Sequence, residues 1–334
     1  MDFEEELMIK AAWYYFLEDK TQQNISELLG ISRMRVIRLL EKARETGVVR
    51  FNIRQEHARR MTIEKQLIET YRLKDAFVIP TQAGAGIGEI NDSVADAAAM
   101  YINSRIQPNA FINIGYGDTA GKILNNLAKI AETPISCISL TGGVSIYLPN
   151  AKSHVFNARL FLIPAPLMVS SKEMVAAIRE EKSVKEIFRM VSLASFTIVG
   201  IGGMNDEATV LKSGVLSAND FLYLKMHGSV GDILCHFIDR EGQVIVTPLE
   251  DRLVSASLDT LKSLPNVIGA AAGKDKREAI KGALTPGYLD ILITNEDTAK
   301  WLIDNRDAMN GGAREAERKA NLQPEISQGG IYVR

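Results

Sequence analysis

The chain has little of what covalent catalysis or metal binding requires. Its 334 residues include two cysteines and four histidines. Cys137 and Cys235 lie far apart in the apolar stretches ISCISL and DILCHF, which predicts buried free thiols in a reducing compartment instead of a disulfide. His57, His154, His227 and His236 form no i, i+4 pair and no Cys/His cluster at metal-finger spacing, so no metal site is expected. The serine-hydrolase signature G-x-S-x-G and the P-loop G-x-x-x-x-G-K-[ST] do not occur. No catalytic residue or cofactor is therefore assigned. There is no apolar run of about 18 residues, as a spanning helix needs. The amino end MDFEEELMIK is acidic and carries no apolar signal-like core, so a cytoplasmic protein without a membrane partner is expected.

What the sequence does contain is ordinary for a folded protein. Hydrophobic residues make up 46% and charged residues 24%, enough for a sizeable core, and the length suggests two folded units. The formal net charge is -2, so a polyanionic partner has to be met by a local patch. Residues 31–60 supply one. Arg33, Arg35, Arg38, Lys42, Arg44, Arg50, Arg54, Arg59 and Arg60 stand against Glu41, Glu45 and Glu56, nine basic residues against three acidic.

Local signals arrange this segment. Leu7, Ala11, Tyr14 and Leu17 have the spacing of a first amphipathic helix. Thr21 is a good cap for a second, in which Ile25, Leu28 and Leu29 form the apolar stripe. Gly30 supplies the positive φ of a tight turn, and Ser32 caps a third helix running to Glu45, closed by Gly47. Val36, Leu39, Leu40 and Ala43 fix the inner face of that helix, which leaves Arg35, Arg38 and Lys42 on or beside the outer one. This is a helix-turn-helix pattern with a basic outer face; a merely solvated basic face is the plainer alternative. Guanidinium groups suit duplex DNA because they release counterions and address phosphates or guanine edges. Thr21, Gln22, Ser32, Arg33, Arg35 and Arg38 are the candidate DNA contacts. The segment VVRFNIR reads as a short wing strand or hairpin arm.

Residues 1–55 thus form a DNA-binding domain, followed by a helix over 56–73 with Ile63, Leu67 and Tyr71 at steps of four. Two readings of that helix stay open: a linker that helps pair two chains, or a helix docked on the next domain. From residue 74 to 304, short apolar runs alternate with helical stretches: AFVIP, FINIG, ISCISL, LFLIP, FTIVGIG, DILCHFI, VIGAAA and LDILIT. These predict a Rossmann-like, mostly parallel α/β domain covered on both faces. Residues 305–334 are polar and read as a mobile tail, with a short terminal strand as the alternative.

In such a sheet, ligands bind beyond the carboxyl ends of the strands. Three glycine loops fall there: Gly115, Tyr116, Gly117, Asp118 and Thr119; Thr141, Gly142 and Gly143; and GIGGM, which contains Gly202. Their amides and hydroxyls suit an oxygen-rich ligand, although close packing also selects glycine. Asp232 at the mouth of an apolar strand is a candidate acceptor for sugar hydroxyls, with a capping carboxylate as the alternative. Lys276 is a candidate cation near a helix start, with Lys274 as its rival.

Taken together, AAWYYFLEDKTQQNISELLGISRMRVIRLLEKARETGVVR followed by IGYGDT, LTGGV, LIPAPL, VGIGGM, SGVLS, VGDIL and DRLVSASLDTL resembles the SorC (sorbitol-operon) family of bacterial transcriptional regulators, from residue 5 to about 304. The resemblance implies a homo-oligomer, usually a tetramer, that binds operator DNA and is controlled by a sugar, polyol or sugar-phosphate effector. It also implies an effector domain similar in fold to sugar-phosphate isomerases and glucosamine-phosphate deaminases. Carried over by position, it places Gly115 to Thr119, Asp232 and Lys276 at the effector. Many members have tryptophan and a basic or polar residue where this chain has Tyr116 and Asp118. A carboxylate there would repel a phosphate set directly against it. An isomerase- or deaminase-like enzyme is the alternative, but NDEATVLKSG lacks the Asp-Gly-His arrangement expected of the deaminases.

Overall fold

Apolar spacing turns the amino end into α1 (Phe3–Phe16), α2 (Gln22–Leu29) and α3 (Arg33–Glu45). The computed structural model describes residues 3–51, 55–143 and 158–306. The chain divides into two compact units, Met1–Arg59 and Arg60–Arg334.

In the first unit, Leu7, Met8, Ala11 and Ala12 of α1 pack on Ile25 of α2 and on Val36, Leu39, Leu40 and Ala43 of α3. The local signals act as expected. Thr21 Oγ1 accepts from Asn24 N at 3.2 Å, Ser32 Oγ accepts from Arg35 N at 3.3 Å, and Gly30 makes the turn at φ 64°. Two expected core residues stay outside. Leu17 is 65% exposed because α1 ends at Phe16, and Leu28 is 58% exposed because it lies about 60° round the helix from Ile25. The expected wing strand does not form over Val48–Phe51. Val49 folds back instead, its N–H donating to Ala43 O at 2.9 Å, and the Phe51 ring meets Phe16 edge-on. Residues 52–54 of that segment, like the tail expected beyond Arg306, lie outside the described residues.

Helix α4 (Gln55–Tyr71) crosses the boundary between the units. Its Ile63, Leu67 and Tyr71 are buried in the core of the second unit, Tyr71 Oη donates to Leu302 O at 2.8 Å, and Glu64 Oε1 accepts from Val78 N at 2.8 Å. Of the two readings left open by the sequence, docking on the α/β domain describes this face of the helix.

The second unit contains, in chain order, β1 (Asp75–Ile79), α5 (Ile87–Asn103), β2 (Phe111–Ile114), α6 (Asp118–Ile130), β3 (Ile135–Ser139), β4 (Ala158–Phe161), α7 (Lys172–Glu180), α8 (Lys182–Met190), β5 (Ala194–Gly203), α9 (Thr209–Lys212), α10 (Ala218–Met226), β6 (Gly231–Ile233), β7 (His236–Ile238), α11 (Leu258–Ser263), β8 (Val267–Ala270), α12 (Arg277–Leu284), β9 (Ile291–Asn295) and α13 (Glu296–Asp304). Seven strands run parallel in the order β1-β9-β8-β5-β2-β3-β4.

The central strands are apolar on both faces because both are covered. Ile198, Ile268, Ile291 and Ile293 pack with α5 and α6 on one side. Their neighbours Val199, Val267 and Leu292 pack with α4, α11, α12 and α13 on the other. Cys137 and Cys235 are both free and buried, and burial pushes the Cys137 thiol up to about 12.

The run DILCHFI departs from the expected parallel strand. It breaks at Leu234 and Cys235, both at positive φ, into the antiparallel hairpin β6–β7, and β6 pairs antiparallel with the end of β5. One tertiary and one local hydrogen bond hold this turn without glycine. Ser255 Oγ donates to Leu234 O at 3.0 Å, and Cys235 N donates to Asp232 Oδ2 at 3.2 Å.

Candidate functional site

The topology dictates where a ligand fits. From β2 the chain steps outward to β3 and β4, and from β5 it steps the opposite way to β8 and β9. The gap beyond the carboxyl ends of β2 and β5 is therefore the switch point of the sheet, where the loops diverge and leave a crevice. A cavity of about 580 Å³ lies there.

Most of the residues singled out in the sequence line it: Tyr116, Gly117, Asp118 and Thr119 after β2, Gly202 at the end of β5, Asp232 from β6, and Lys276 just before α12. Gly117 caps α6 at φ 131°, a conformation open to glycine, and so brings the first turn of that helix to the cavity. The amides of such a turn have no acceptor within the helix.

Asp232 and Lys276, both half-buried, bring opposite charges to the same cavity. Burial pushes the Asp232 carboxyl up to about 6, opposed by the Cys235 N–H and by the charge of Lys276. Burial pulls the Lys276 ammonium below its ordinary value, opposed by Asp232 and Asp118. Lys276 Nζ donates to Asn91 Oδ1 at 3.2 Å. Lys274 lies instead on a second cavity of about 440 Å³, beyond β1, β8 and β9, which Lys276 also borders. A carboxylate acceptor and an ammonium donor lining one pocket are chemistry suited to hydroxyl groups.

Four singled-out residues stand behind the wall and do not line it. Gly115 packs where a Cβ would collide with the Leu234 side chain. Gly142 lies against the Pro166 carbonyl, and its N–H donates to Val254 O at 2.8 Å. Gly143 backs onto the Tyr116 ring, with its N–H donating to Ala165 O at 2.9 Å. Thr141 Oγ1 donates to Gly142 O at 2.9 Å. These glycines serve close packing, the alternative already noted for such loops.

The wall also holds groups the sequence reading passed over. Asn91 comes from α5, Thr209 and Lys212 from α9, and Ser213 follows α9, its Oγ accepting from Tyr116 Oη at 3.0 Å. Burial pushes the Tyr116 phenol up. Lys122 reaches in from α6, 2.9 Å from Asp118 Oδ2 and 2.7 Å from Asp92 Oδ1. Burial pulls its ammonium down, but these two carboxylates outweigh that and hold it above its ordinary value. The i, i+4 spacing of Asp118 and Lys122 was a readable signal. Asn91 and Ser213 carry none, because each enters from an element distant in sequence.

In the first unit, Thr21, Ser32, Arg33, Arg35 and Arg38 are exposed and Gln22 is half-buried, at the start of α2 and along the outer face of α3. Among the described residues none of these three arginines is held in an ion pair, whereas Lys42 is paired with Glu4 at 3.9 Å.

Comparison with known proteins agrees with both halves. Residues 55–304 match the family described as "Putative sugar-binding domain", and residues 5–46 match sigma-70 region 4. Transcriptional regulator LsrR of Klebsiella pneumoniae is 33% identical over 304 residues, covering 90% of this chain and 93% of that protein. The LsrR regulator of Escherichia coli K12 is 34% identical over 304 residues, covering 90% and 95%. The crystal structure of the full-length sorbitol operon regulator SorC from Klebsiella pneumoniae superposes with a TM-score of 0.64 at 25% identity, covering 91% of this chain and all of that one. No helix among the described residues is long and apolar enough to cross a membrane. With its helix-turn-helix unit and sugar-binding domain, the chain belongs to the SorC and LsrR family of transcriptional regulators.

Proposed function

We propose that the outer face of α3 contacts operator DNA through Ser32, Arg33, Arg35 and Arg38, with Thr21 and Gln22 of α2 beside them. In this reading the switch-point cavity takes a sugar, polyol or sugar-phosphate effector. The observation that carries it is the opposition of half-buried Asp232 and Lys276 inside a crevice walled by Gly117, Thr119 and Gly202. Such a pocket holds a hydroxylated ligand by paired acceptor and donor, and it needs no metal. The effector shifts the balance between DNA-competent and DNA-incompetent arrangements only as far as its affinities for the two differ.

The protein works in the cytoplasm as a homo-oligomer, with a tetramer as the expected size. Helix-turn-helix proteins that pair their units read two half-sites of one operator, and this assembly follows that rule. Light scattering on the purified protein gives the subunit number.

A thermal-shift screen of sugars, polyols and their phosphates, followed by DNA binding with each hit, tests the whole reading. A hit raises the melting temperature and changes operator affinity without being consumed. Turnover of a hit would instead support an isomerase- or deaminase-like enzyme.

A further inference from the structure

The loop that joins β1 to α5 borders both cavities beyond the sheet. Thr81 to Ala85 line the smaller one, Gly88 lines the larger, and Ile87 lies on both. We propose that this loop is a lid, which pivots at Gly86 and Gly88 and carries Ile87 onto the ligand once the switch-point cavity is filled. The inference rests on the effector role proposed above.

Nothing in the present arrangement calls for glycine at the two pivots. Gly84 makes a turn at φ 78°, which accounts for it. Gly86, by contrast, has φ -74° and ψ 166°, and Gly88 lies in the first turn of α5 without a positive φ, so other residues could adopt either conformation. Space does not demand glycine either. Beyond its chain neighbours and its own helix backbone, a Cβ on Gly88 would meet nothing within 4 Å, and one on Gly86 would meet only Glu89 Oε2 at 4.0 Å. Glycine loses more chain entropy on folding than alanine does, and here it gains nothing in return. A second backbone arrangement supplies the missing reason, because lid motions are absorbed by a few residues that tolerate large changes in φ and ψ.

Few contacts hold the loop where it stands. Among the described residues, the one hydrogen bond from residues 81–85 to the rest of the domain is that of Thr81 Oγ1, which accepts from Asp297 N at 3.1 Å. The flanks are fixed. β1 is paired along its length with β9, and Val94, Ala95 and Ala98 hold α5 in the core. Between them Gln82, Ala83 and Gly84 are exposed, and Ile87 keeps 39% of its surface in water. Closure onto a ligand removes that apolar surface from solvent. The hollow of about 440 Å³ between the loop and Ala272, Gly273 and Asn295 gives the chain room to settle. Pockets for small molecules cover most of the ligand's surface, and the lid supplies that cover here.

Hydrogen exchange followed by mass spectrometry on the full-length protein tests the lid. The probe is the tightest binder from a panel of four- to six-carbon sugars, polyols and their monophosphates. It should slow exchange in residues 115–121, which include the cavity wall, and also in residues 82–88, there by about tenfold or more. Gly88→Ala is the matching variant. Its melting temperature should not fall, since alanine favours a helix over glycine and finds open space at this position. Its affinity for the probe, read by calorimetry, should nevertheless drop by about threefold or more, with weaker protection of residues 82–88, and Ile87→Ala should lose affinity to a similar extent. Protection of residues 115–121 without any of residues 82–88 would leave the effector site standing and overturn the lid. A Gly88→Ala protein that binds and protects as the wild type does would overturn the pivot. If no panel member binds, or a bound one protects neither segment, the effector reading itself falls and the lid falls with it.

Discussion

Gly202 and Asp232 are partners across the antiparallel pairing of β5 with β6, and the Asp232 carboxylate occupies the space in which a side chain on residue 202 would begin. A Cβ on Gly202 would overlap Asp232 Oδ1. The glycine in VGIGGM is thus explained by a carboxylate that enters from a strand 30 positions further along the chain. Replacing it with alanine should displace the carboxylate and weaken effector binding at least tenfold. The overpacking should cost about 1–3 kcal/mol of stability. Titration with the effector and denaturant unfolding measure the two losses, and normal effector affinity in Gly202→Ala would remove Asp232 from the site.

The raised Asp232 carboxyl has a definite pH signature. Its folded value of about 6 exceeds the ordinary 3.8, so the folded protein holds the proton more tightly than the unfolded chain. Its contribution to stability is therefore full below about pH 4, declines as pH rises through about 6, and is absent above that. Over that window the stability difference between the wild-type protein and Asp232→Asn should shift by about 3 kcal/mol at most. Unfolding curves of both proteins from pH 4 to 8 provide the measurement; parallel profiles would contradict the assignment. Effector affinity should move the other way, rising towards pH 7 as the carboxylate ionises and becomes a better acceptor.

Arg35 is exposed on α3, one position before buried Val36, and no acid within the described unit neutralises it. Arg35→Ala should weaken operator binding. If the guanidinium meets a phosphate, the slope of log affinity against log salt should fall by about 1. Effector affinity should stay unchanged. Electrophoretic mobility or fluorescence anisotropy at several salt concentrations reads this, and an unaltered operator affinity would exclude Arg35 from the interface.

Leu67 on α4 is fully buried against the α/β core. Leu67→Ala should destabilise the second unit by about 2–5 kcal/mol through lost contacts and a residual cavity. A loss below about 1 kcal/mol would mean that α4 is not docked as described. Chemical denaturation followed by circular dichroism decides between them.

The legible parts of this protein were those written in short-range pattern. Helix caps at Thr21 and Ser32, the left-handed turn at Gly30 and the inner face of α3 follow from neighbours within a few residues, and so does the basic outer face. The seven parallel strands announced themselves as apolar runs because both faces of the sheet are covered. The hairpin inside DILCHFI gave no such sign. Its turn is Leu234–Cys235, and bonds from Ser255 and to Asp232 hold both residues at positive φ in place of the usual glycine or asparagine.

The candidate site divides along the same line. Sequence alone determined that glycine loops, an acid and a lysine stand near strand ends, because strand, loop and helix follow one another locally. Only the tertiary structure decided which of them meet. It drew Asp232 and Lys276 to one cavity and added Asn91 and Lys122. It also turned Gly115, Gly142 and Gly143 to packing. The reason is physical: the order in which strands join a sheet, and hence which strand ends converge at its switch point, depends on contacts between residues far apart in sequence, Ile114 with Ile198 among them, and no local period records them.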